Sequence, residues 1–161
     1  MPALALITML LLPLPWRSGT VHDVHQTVGG WTLNVRTNSF TDTARCRLAK
    51  GKVSFARGVL IFRLPPGLDT SEAYYRVDGG EPRAAKAELM SVAHAGLAIF
   101  DDQLANPSGG VVRIPAERVG HGKLVAIQAN TASAPRRFDI AGLDFALDQA
   151  AKLGCTPTTF E

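Results

Sequence analysis

Cysteine and histidine are scarce in this chain, and long apolar runs occur only at its start. It has 2 cysteines and 4 histidines. Neither cysteine sits in a C-x-x-C pair, and Cys46 and Cys155 are too far apart to resemble a zinc framework. No G-x-S-x-G and no S-x-x-K is present, so the usual elbow of a nucleophilic hydrolase is missing. Charge of one sign is also modest. Lys and Arg total 17 against 14 Asp and Glu, a formal net charge of +3. That balance gives a mild bias toward anionic partners and does not by itself indicate nucleic acid.

The one apolar run is Ala3 to Leu14, broken only by Thr8 and Pro13. It matches the roughly 7–15 residues of a signal-peptide core and falls short of the ~20 that a membrane span requires. Residues 1–20 are therefore expected to be an export leader, with cleavage between Pro15 and Val24. The alternative is a hydrophobic N-terminal strand or a mis-chosen start codon. No later segment is long and apolar enough to span a bilayer, so the mature protein is expected to be soluble and periplasmic or secreted.

What remains is roughly 140 residues, the size of one domain with a real core. The hydrophobic fraction is 46% and the charged fraction 19%, an ordinary globular balance. The 10 prolines and 15 glycines suit a fold with many turns. Behind an export leader, Cys46 and Cys155 read as one disulfide. Closing a loop of roughly 100 residues contributes about 4–5 kcal/mol in chain-entropy terms. The competing reading is two free thiols, one of them catalytic.

Residues 21–30 are polar with a glycine pair and read as a flexible lead-in, leaving 31–161 as a single β-rich domain. Alternation of apolar and polar residues predicts strands at Trp31 to Val35, Ala44 to Ala49 and Val53 to Phe55. Lys50-Gly51 turns the chain between the last two, and Gly58 is expected to mark a bulge before a strand at Val59 to Leu64. Pro65-Pro66-Gly67 ends that strand. Asp78-Gly79-Gly80 predicts a hairpin between Ala73 to Val77 and a return strand at Pro82 to Lys86. A short helix over Glu88 to Ala95, stopped by Gly96, should follow, then Leu97 to Phe100 and a turn at Asn106 to Gly110. Further strands are expected at Val111 to Ile114, Leu124 to Gln128 and Arg137 to Ile140. Leu143, Leu147, Ala150 and Ala151 recur at helical spacing, and Gly154 is a fitting stop. The expected fold is mainly β, an antiparallel sandwich or curled sheet of about eight short strands with a C-terminal α-helix. The disulfide would staple the end of that helix to the Cys46 strand.

Candidate chemistry is sparse. Ser108, before Gly109-Gly110, reads as turn chemistry rather than a nucleophile. His94 and His121 read as surface or capping residues, and Asp101-Asp102 as loop solvation. His22-x-x-His25, with Asp23 between, is a weak copper or zinc pair without a third ligand at useful spacing. More distinctive is a basic stretch free of acids: Arg45, Arg47, Lys50, Lys52, Arg57 and Arg63. On adjacent strands, several would share a solvent-facing side and form an anion-binding surface. The plain alternative is a solvated sheet face with lysines guarding an edge. Tyr74-Tyr75-Arg76 adds an aromatic pair, and strand alternation sends one tyrosine inward.

The leader, Gly30-Trp31, Cys46 on the next strand and the Leu64-Pro-Pro-Gly67 break form a recognisable layout. So does the closing segment from Phe138 to Leu147. This layout resembles the invasion-associated locus B family of alphaproteobacterial envelope proteins. That family commonly carries a further cysteine pair mid-chain, where this sequence has Lys86, Glu88 and Met90. The resemblance implies a periplasmic, non-enzymatic, β-rich protein linked to the envelope, and it carries over no catalytic residue.

The sequence therefore points to an exported, non-catalytic binding or envelope-associated module with no cofactor. Its expected partner is an anionic envelope component or another envelope protein, not nucleic acid. The alternative is a periplasmic hydrolase or hydrolase inhibitor whose site gathers residues distant in sequence, such as His94 or His121 with a serine and a carboxylate.

Overall fold

A computed structural model describes residues 21–94 and 109–161. The expected leader at 1–20, the Gly96 stop, the Leu97 to Phe100 strand, Asp101-Asp102 and the turn residues Asn106 to Ser108 lie outside the described residues.

The fold is mainly β, in two antiparallel sheets that share one core. The first six strands in space are β1 (Val21–Val28), β2 (Trp31–Asn38), β3 (Thr43–Lys50), β4 (Val53–Ala56), β5 (Val59–Arg63) and β8 (Val111–Pro115). They lie in the order β1-β2-β3-β4-β5-β8. The second sheet runs β10-β9-β6-β7, from β6 (Tyr74–Val77), β7 (Arg83–Ala84), β9 (Leu124–Gln128) and β10 (Arg136–Asp139). Helices α1 (Ala85–His94), α2 (Ala116–Val119) and α3 (Leu143–Lys152) and a 3-10 turn at Pro157–Thr159 complete the described elements.

Three local expectations need correction. Residues 21–30 are not a flexible lead-in: β1 pairs with β2 at all eight positions, from Val21↔Asn38 to Val28↔Trp31. Gly29 (φ +58°) and Gly30 (φ +82°) form the two-residue turn between them. Such a turn needs positive φ at both central residues, which glycine supplies without steric cost. Gly58 is not a bulge. With Arg57 it forms another two-residue turn, because Ala56 pairs directly with Val59. The return strand after the Asp78-Gly79 turn is only Arg83–Ala84, since α1 begins at Ala85. The Ala-Lys-Ala-Glu-Leu composition there favours helix strongly enough to end the strand early.

Period-two alternation sorts side chains between the two faces of the larger sheet. The row Leu33, Leu48, Phe55, Leu60 and Ile114 faces the core. The second sheet closes over it, with Phe62 and Phe138 in edge-to-face contact at 5.2 Å between centroids. Tyr75 points inward and is buried, while Tyr74 is half exposed. Burial pushes the Tyr75 phenol pKa up.

Two devices fasten the C-terminal region. The Trp31 indole Nε1 donates to the Ala141 carbonyl at 3.1 Å, just before α3. There Gly142 meets the Gly29 turn so closely that an added Cβ would lie 2.4 Å from the Gly29 carbonyl oxygen. Beyond α3, Cys155 is bonded to Cys46, with α-carbons 6.1 Å apart, so the expected staple is present. The chain then runs beside β3, where β4 is too short to pair. Phe160 bridges to Cys46 in parallel, packs edge-on against Phe55, and Glu161 N donates to the Cys46 carbonyl.

Candidate anion-binding face

The outer face of the six-stranded sheet carries the opposite parity from the core row. Arg45, Arg47 and Ala49 stand there on β3, with Asn34 and Arg36 beside them on β2. Ser54, Ile61 and Arg113 continue the Ala49 row across β4, β5 and β8. Arg63 lies two residues beyond Ile61 on the same face, and its Nη1 donates to the Ser54 hydroxyl at 3.1 Å. A groove of about 660 Å³ runs over this face and is lined by Arg36, Arg45, Arg47 and Arg63 among others.

The six cations expected to act together do not all share one surface. Arg45, Arg47 and Arg63 share the groove. Lys50 has the inward parity of Cys46 and Leu48. Its ammonium lies 2.9 Å from Asp139 Oδ2 and donates to the Ala141 carbonyl at 2.9 Å. It is a clasp between the two sheets, and it holds the Asp139 carboxyl below the usual range together with the Ala141 amide. Arg57 is in the turn after β4, at the opposite end of that strand from Lys52. With Lys50 engaged and Arg57 bordering neither cavity, the six do not act as one patch.

Ion pairing divides the set further. Arg36 faces Asp23 at 3.5 Å and Arg45 faces Glu161 at 3.6 Å, both at exposed positions. Among the described residues, Arg47, Lys52, Arg63, Arg136 and Arg137 have no acidic partner. Arg136 and Arg137 were not singled out from the sequence, because β10 lies far from Arg63 along the chain. They line a second cavity of about 510 Å³ with Lys50, Lys52 and Arg63.

The histidines do not assemble a reactive site among the described residues. His22 and His25 are three apart on a strand, so alternation sends them to opposite faces. His25 Nδ1 contacts Asn34 Oδ1. No group of three or more metal-ligating side chains occurs among the described residues. His25 and Ser54 border the same groove but stand three strands apart, about 14 Å at ordinary strand spacing, beyond a nucleophile–base contact. His121 Nδ1 lies 2.5 Å from Asp144 Oδ2 at the surface, and that carboxylate raises the imidazole pKa. His94 ends α1.

No family model, curated protein or solved structure matches this chain.

Proposed function

We propose that this protein is an exported, non-catalytic binding module that takes an anionic envelope component on the outer face of its six-stranded sheet. The carrying observation is the groove in which Arg47 and Arg63 stand on one face without an acidic partner, while the core row of the same strands is wholly apolar. Arginine suits this use because its planar fork matches carboxylate, sulfate and phosphate in two-point contacts and stays charged at all relevant pH values. The expected leader and the long-range disulfide support an oxidising, extracytoplasmic location. No helix of the described residues is long and apolar enough to cross a membrane. The envelope role expected from the family resemblance fits the same reading.

Retention on a phosphorylated cellulose matrix tests it. Wild-type protein should be retained at low salt and released as salt rises, because exposed charges are screened over about 8–10 Å at physiological ionic strength. The double variant Arg47→Glu/Arg63→Glu should elute with the flow-through, whereas Arg57→Glu should behave nearly as wild type. Equal retention of wild type and the double variant would overturn the proposal.

A further inference from the structure

The two cavities are not separate sites. Both are bordered by Gly51 and Arg63, so they meet where β5 ends. Arg47 and Arg63 are two strands and four residues apart by register, about 16 Å between α-carbons at ordinary sheet spacing. From Arg63 the second cavity continues past Lys52 to Arg136 and Arg137 on the other sheet. Every one of these five cations lacks an acidic partner among the described residues. The acids nearby are already engaged: Asp139 by Lys50, Glu161 by Arg45 and Asp23 by Arg36.

We infer that the two cavities form one continuous basic track for a linear acidic polysaccharide, with Arg63 at the junction. This rests on the anion-binding reading above and names its ligand class. The track bends. Its first arm lies on the outer face of the large sheet. Its second arm is bordered by Val53 and Phe138, which belong to the core between the sheets, so it opens at the mouth of the sandwich. A planar bilayer reaches one arm or the other, whereas a flexible chain follows both. Single-stranded nucleic acid binds through aromatic stacking platforms as well as basic grooves. Among the described residues, the one Phe, Tyr or Trp bordering either cavity is Phe138, which is buried, and the His25 ring there is engaged with Asn34. What the track offers is spaced cationic forks and polar backbone, which suits repeated sulfate or carboxylate groups on a sugar chain.

Calorimetric titration with heparin-derived oligosaccharides of increasing length tests this. Wild-type affinity should rise with length and level off once both arms are occupied. The double variant Arg136→Glu/Arg137→Glu should bind short oligosaccharides as wild type does but lose the gain from length, about tenfold or more. Arg63→Ala should weaken every length. Arg63→Lys, which keeps the charge, should restore much of the binding, and thermal melts of each variant confirm that it is folded. Affinity independent of length, or insensitivity to Arg136→Glu/Arg137→Glu, would overturn the track while leaving the sheet-face site standing. Tight binding to phosphatidylglycerol vesicles without binding to the oligosaccharides would also overturn it. Loss of retention on the phosphorylated matrix by wild-type protein would instead remove the underlying anion-binding reading.

Discussion

The two faces of the six-stranded sheet differ by a single residue of register, yet they obey different rules. The inner row Leu33, Leu48, Phe55, Leu60 and Ile114 is apolar throughout and almost fully buried. The adjacent outer row Thr32, Ala49, Ser54, Ile61 and Arg113 mixes small, polar, apolar and basic side chains. Burial of apolar area is the main term that stabilises a domain of this size, so changes on the inner face should be felt in stability. Changes on the outer face should be felt in binding. Arg113 is buried, but Arg45, Arg47 and Arg63 are exposed and repel one another, so stability alone gives no reason to gather those three there.

That contrast can be broken in several places. The largest effect is expected at the staple. Cys46 belongs to the inner face, and its bond to Cys155 closes a 109-residue separation. Reducing the bond, or replacing both cysteines with alanine, should cost about 4–5 kcal/mol in the loop-entropy view. Denaturant unfolding with and without reductant measures this. A change below about 1 kcal/mol would mean that the docked helix and the Phe160 contact hold the C-terminal region without the bond. Next comes the direct pair on neighbouring positions of β3. Leu48→Ala should destabilise by about 2–5 kcal/mol through lost packing and a residual cavity. Arg47→Glu, one residue away, should change stability by less than about 0.5 kcal/mol. Similar losses for both would erase the distinction between the faces.

The smallest effects are electrostatic and opposite in pH direction. Asp139 has a depressed pKa in the folded protein, mainly through its hydrogen bond from Lys50. Its contribution is present above the ordinary carboxylate pKa and is lost as pH falls through the folded value. His121 has a raised pKa through Asp144, so its contribution is present below the ordinary imidazole pKa and is lost as pH rises through the folded value. Asp139→Asn should flatten the acid limb of a melting-temperature profile, and His121→Gln the limb above neutrality. Asp139 and His121 are themselves well exposed, so these shifts should be small. Unchanged limbs in both variants would remove these pairs from the account.

The core half of the comparison was legible in sequence. Alternation at Trp31 to Val35 and Ala44 to Ala49, the Asp78-Gly79 turn and the amphipathic stretch from Leu143 each led to the observed element. So did the pairing of the two cysteines. Strand β1 was not legible from its composition, because an edge strand buries little. His22, Asp23, Val24 and His25 are exposed, and among the side chains described on β1 only Val28 is buried. Its signal was the Gly29-Gly30 turn two residues before Trp31. The binding half was legible only in part. Local charge density singled out Arg45 to Arg63, but strand parity turned Lys50 inward, and Arg57, in a tight turn, borders neither cavity. Arg136 and Arg137 join through the packing of one sheet against the other, which depends on long-range pairing that a local charge count does not contain.

Arginine-selective labelling with phenylglyoxal, read by mass spectrometry with and without a heparin oligosaccharide, tests the central claim most directly. Arg47, Arg63, Arg136 and Arg137 should be protected by the oligosaccharide, and Arg57, which borders neither cavity, should label equally in both samples. Protection of Arg57 to the same degree, or labelling of all five unchanged by the oligosaccharide, would contradict the account.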